Sequence, residues 1–61
     1  MLKIKEKNAV RVGHVFGFEL ENGELLHHTE WNGEYYETEN GIFRPAYEEI
    51  DGDFEIIGFE N

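Results

Sequence analysis

A chain of 61 residues with fourteen acidic and five basic side chains, a net charge of −9 and no cysteine has room for one domain, residues 1–61, around one small core. The absence of cysteine excludes a disulfide-stapled scaffold and a Cys-ligated zinc site. The charge opposes direct binding to nucleic acid or to an anionic membrane surface, since both are negatively charged themselves.

The chain opens with "MLKIKEKNAV", which is charged and lacks an apolar h-region. It points away from a signal peptide and to a cytoplasmic protein. Leu2–Lys7 reads as a first strand. Val10–Glu21 follows, with Val10, Val12, His14, Phe16, Phe18 and Leu20 at every second position. That period of two predicts a strand about twice the usual length, bent or bulged at Gly13 and Gly17.

Four Asx-Gly steps then recur: Asn22-Gly23, Asn32-Gly33, Asn40-Gly41 and Asp51-Gly52. Asn-Gly and Asp-Gly suit both positive-φ positions of a type I′ hairpin turn, and their regular spacing predicts an antiparallel meander. The intervening strands are Glu24–Trp31, Glu34–Glu39, Ile42–Glu49 and Asp53–Glu60. A two-residue Asn22-Gly23 loop sets Leu20 opposite Leu25, Phe18 opposite His27 and Phe16 opposite Thr29. Tyr36, Thr38 and Phe43 join Trp31 on that face, whereas Val15, Leu26 and Tyr35 fall on the other.

Pro45 cannot donate a ladder hydrogen bond. It therefore predicts an edge strand, or a short helical turn over Ala46–Ile50 that it would open. The last strand can pair with the first, bringing Lys3, Lys5 and Lys7 towards Glu55 and Glu60. The expected fold is all-β: a small, strongly bent antiparallel meander or partly open barrel of five or six strands, of SH3-like or OB-like size.

Charge is segregated along the chain. Residues 1–12 hold Lys3, Lys5, Lys7 and Arg11 against Glu6, whereas residues 13–61 hold thirteen acids against Arg44 alone. Few groups suit metal or catalytic chemistry. Adjacent His27 and His28 point to opposite faces of a regular strand, and His14 would lie roughly 13 Å from His27, so no metal is expected. "EIDGDFE" lacks the further ligands and flanking helices of a calcium loop and reads as a turn. With no Cys, no Ser and no cofactor motif, the expectation is a non-enzymatic protein without a cofactor.

The acids remain as the functional signal. Glu21 and Glu24 would flank one turn as a repulsive pair, and Glu19, Glu21, Glu30, Glu37, Glu48 and Glu55 fall on the outer face of the pleat. The stretch "HTEWNGEYYETE" joins acids to aromatic rings of the kind that anchor interfaces. Glu19, Glu21, Glu30, Trp31, Glu34, Tyr35, Glu37 and Glu39 are therefore the candidate partner-binding residues. The expected partner is a basic surface of another protein.

In size and charge, the chain resembles small phage or plasmid proteins that inhibit nucleases, repressors or CRISPR effectors by imitating a nucleic-acid backbone. No motif ties it to a family. The rival expectation is a structural or accessory module that forms a homodimer, or joins a larger complex, through a strand edge and its aromatics.

Overall fold

The computed structural model describes residues 1–61. It contains eight strands: β1 (Leu2–Lys7), β2 (Val10–Arg11), β3 (His14–Val15), β4 (Phe18–Leu20), β5 (Leu25–Leu26), β6 (Tyr36–Thr38), β7 (Gly41–Ile50) and β8 (Asp53–Glu60). Six of them form one antiparallel sheet in the order β5-β4-β1-β8-β7-β6, while β2 and β3 pair with each other. The sheet curls into a nearly closed barrel. A Trp31–Tyr36 bridge links the chain after β5 to β6 across the seam. Glu24 fastens the same seam, accepting from Asn40 Nδ2 at 2.9 Å and from Thr38 Oγ1 at 3.4 Å.

The bounds of β1 and β8 are those predicted, and the two strands pair through Leu2–Phe59 and Lys3–Gly58. This pairing inserts β1 between β4 and β8, so the order is not a single meander. The lysines do not meet Glu55 and Glu60. Lys5 instead lies 3.8 Å from Glu19, and the terminal amine of Met1 lies 3.7 Å from Glu60.

Val10–Glu21 is not one strand. Val12 and Gly13 take φ of 51° and 80° and fold the chain back on itself. The returning limb pairs Val10 with Val15, Ala9 with Phe16, Asn8 with Gly17 and Lys7 with Phe18. The turn carries no Asn or Asp, so the composition signal for a hairpin is missing. A β-branched residue in the left-handed region is strained by about 1–2 kcal/mol, and Val12 is also 96% exposed. Val12→Gly should therefore raise stability by about 1 kcal/mol, read as a higher urea midpoint with an unchanged m-value. A lowered midpoint would mean that Val12 contributes packing its exposure does not suggest.

The Asn22-Gly23 turn corrects the register. Only Gly23 takes positive φ, at 90°. Leu20 N donates to Glu24 O at 2.8 Å, and Gly23 N donates to Leu20 O at 2.9 Å. The loop thus has three residues, a type I turn followed by a glycine bulge, rather than a two-residue type I′ turn. Pairing slips by one, to Phe18–Leu26 and Glu19–Leu25. A one-residue slip exchanges the faces of a strand, which is why Leu26 is fully buried and Leu25 only half-buried. Of the four Asx-Gly steps, only Asp51-Gly52 has both residues at positive φ (51° and 85°).

Pro45 lies within β7, so there is no helical turn at Ala46–Ile50. β6 pairs with β7 only from Gly41 to Phe43. Beyond Phe43 that side of β7 is an edge, where the missing N–H costs nothing. The one helical turn is a 3-10 turn at His28–Glu30, within the predicted strand Glu24–Trp31. The core consists of Leu20, Leu26, Tyr36, Phe43 and Phe59, with Leu2, Ile4, Phe18 and Ile56 packed around it.

Candidate protein-binding surface

The predicted site residues separate into three groups. Glu19 is not free on the outer face: it is 5% exposed, and it accepts from Arg11 Nη2 and lies near Lys5. On β4 it still points away from the core face of Phe18 and Leu20, and Arg11 and Lys5 cover it there. The pairing ties the β2–β3 hairpin to the sheet, so Glu19 serves the fold and offers no free carboxylate.

Glu30, Trp31, Glu34 and Tyr35 are partly engaged. Glu30 Oε1 accepts from His27 N at 2.8 Å, while His27 Nδ1 accepts from Thr29 N at 3.2 Å. Together these bonds cap the 3-10 turn. Because His28 enters that turn, the two imidazoles do not point to opposite faces; they stack with centroids 4.4 Å apart. Trp31 is 38% exposed and lies 4.9 Å from the Tyr36 ring. Glu34 pairs with Arg44 at 3.1 Å, and the same guanidinium sits 4.7 Å above the Tyr35 ring. Arg44, the one cation beyond residue 12, thus covers half-buried Tyr35.

Glu21, Glu37 and Glu39 are exposed and take part in no ion pair. The expected Glu21–Glu24 repulsion is absent, because Leu20 rather than Glu21 faces Glu24, and Glu24 turns to Asn40.

A further exposed feature lies outside the predicted site residues. β7 and β8 are ten and eight residues long, but their neighbours cover only the ends near the barrel. Residues 47–55 are all exposed and form a two-stranded arm. The arm carries Glu48, Glu49, Asp51, Asp53 and Glu55 with no basic residue. Glu48 lies directly opposite Glu55. Tyr47 (55% exposed), Ile50 (42%) and Phe54 (71%) are presented to solvent beside these acids. The available signal was length: the predicted strands Ile42–Glu49 and Asp53–Glu60 together outreach the shorter strands beside them.

No three His, Asp or Glu side chains lie close enough to hold a metal ion, and no pocket indents the surface. No helix is long and apolar enough to cross a membrane. Tyr36 is the one group with a clear pKa displacement. Burial raises its phenol above the usual 10.0, and Tyr47 adds to the shift. The neutral phenol is favoured in the fold, so this contribution is full below pH 10.0 and is lost as pH rises through the folded value. Stability should fall at alkaline pH, and Tyr36→Phe should flatten that decline in urea titrations. An equal decline in the variant would assign the effect elsewhere.

Neither protein-family models, nor curated proteins, nor solved structures provide a match to this chain.

Proposed function

We propose that this protein is a non-enzymatic, acidic protein-binding module that engages a basic surface of another protein. In its sharpest form, it imitates a nucleic-acid backbone and thereby inhibits a DNA- or RNA-binding protein. One observation carries the reading. Three of the five cations are engaged, Lys5 and Arg11 with Glu19 and Arg44 with Glu34, while Lys3 and Lys7 are exposed on β1. Glu21, Glu37, Glu39 and the five acids of the arm remain exposed without a counter-charge. Such a field draws in basic surfaces and repels polyanions.

Reversing Glu21, Glu37 and Glu39 to Lys removes uncompensated charge without touching an ion pair. It should weaken partner association and flatten its salt dependence. Unchanged affinity both in this triple variant and in a variant reversing the arm acids would contradict the reading. A second reading, self-association through a strand edge, is favoured by the uncovered flanks of β7 and β8 and by exposed Tyr47 and Phe54. Sedimentation at low and high salt separates the two, because an edge-paired dimer of this acidic chain would tighten as salt screens its repulsion.

A further inference from the structure

We infer that the β7–β8 arm is a docking element for an extended, basic polypeptide segment, which adds as a third strand along one of its free edges. The inference deepens the basic-partner reading and rests on it. It moves the contact from the Glu30–Glu39 surface to Ala46–Ile56.

Three observations converge on the arm. Its edges are free: β1 meets β8 only at Phe59 and Gly58, and β6 leaves β7 after Phe43. Unpaired strand edges expose N–H and C=O groups that another strand can satisfy. The two faces of the arm also differ in chemistry. Tyr47–Ile56 and Glu49–Phe54 are alternate rungs on one face, and Glu48–Glu55 and Ile50–Asp53 are rungs on the other. An added strand that alternates Lys or Arg with apolar residues would set its cations beside Glu48, Asp53 and Glu55. Its apolar residues would cover Tyr47 and Phe54.

Charge selects the occupant. Two copies of the arm would bring ten carboxylates together with no cation between them, twice the five acids of one arm. Like charges directly opposite one another are destabilising in a sheet. The acids therefore guard the edge against a second copy and admit a basic strand.

The test is titration of isotope-labelled full-length chain with a synthetic peptide of alternating Arg and Val at low ionic strength, followed by amide NMR. The expected result is shift changes and slowed amide exchange confined to residues 46–56. Affinity should drop about tenfold in the Glu48→Lys/Glu55→Lys double variant. That variant keeps a like-charged pair opposite each other, so the arm's own stability is little altered. Backbone N-methylation of the peptide should abolish the exchange protection. Binding centred on Glu30–Glu39, or equal binding of the N-methylated peptide, would overturn the arm as the site and leave the basic-partner reading standing. Absence of binding at low ionic strength would overturn both. Self-association through the arm without peptide would overturn the proposed occupant.

Discussion

Phe59→Ala is expected to remove a large part of the folding stability and to have the largest effect of any single substitution considered. Phe59 is fully buried on β8, which sits between β1 and β7 in the sheet. Its ring meets Phe18 at 5.2 Å and Tyr36 at 5.6 Å, both edge to face. Those rings come from β4 and β6, so one side chain joins both halves of the barrel. Truncating a buried Phe costs about 3–5 kcal/mol. At typical values per residue, a domain of this length has only about 3–9 kcal/mol of stability in total. Near-UV circular dichroism and urea titration read the outcome directly. A cooperative transition shifted by less than about 1 kcal/mol would mean that the core does not depend on this ring.

Gly58→Ala is expected to have the next largest effect, and it acts by a different route. A Cβ at Gly58 would lie 2.5 Å from the Leu2 carbonyl oxygen and 2.9 Å from Cγ and Sδ of Met1. The Met1 side chain can swing aside. The Leu2 carbonyl belongs to backbone that holds the Leu2–Phe59 and Lys3–Gly58 pairs. Relief therefore requires β1 to move away from β8, at the contact that joins the two halves of the sheet. Overpacking of this kind costs about 1–3 kcal/mol. Hydrogen exchange should quicken at β1 amides more than at Gly41–Phe43, which pair with β6 instead. Uniform quickening would show a general loss of stability rather than a local parting of β1.

These two residues mark what was legible in the sequence. β1 and β8 were read with their observed bounds and correctly paired, because each is a short alternating run with clear ends. The edge position of Pro45 followed from its missing donor. The failures lie in turns. Asn-Gly suits a type I′ loop, yet Asn22 leaves positive φ to Gly23 alone, and one extra loop residue moved Leu26 inward and Leu25 outward. The Val12-Gly13 turn has no polar turn former, so a hairpin looked like one long alternating strand. His27 caps a 3-10 turn through its ring nitrogen, a role that strand periodicity does not reveal.

The candidate site was legible only as charge. Composition pointed to an acid-rich surface, and the structure leaves Glu21, Glu37 and Glu39 uncompensated there. Periodicity alone could not tell that Glu19 would be covered by Arg11 and Lys5, since that depends on the hairpin turn at Val12-Gly13. Nor could it place the acids of Glu48–Glu55 beyond the barrel. Their exposure comes from β7 and β8 outrunning both neighbours, which is a property of the assembled sheet.

On the proposed function, uncompensated carboxylates draw this protein to a basic protein surface. The most direct measurement immobilises the full chain and follows capture from extracts of its own organism across a salt series, with heparin as a polyanionic competitor. The account predicts that a basic protein is retained at low ionic strength, elutes steeply as salt rises, and is released by heparin. A partner whose retention is indifferent to both salt and heparin would contradict it.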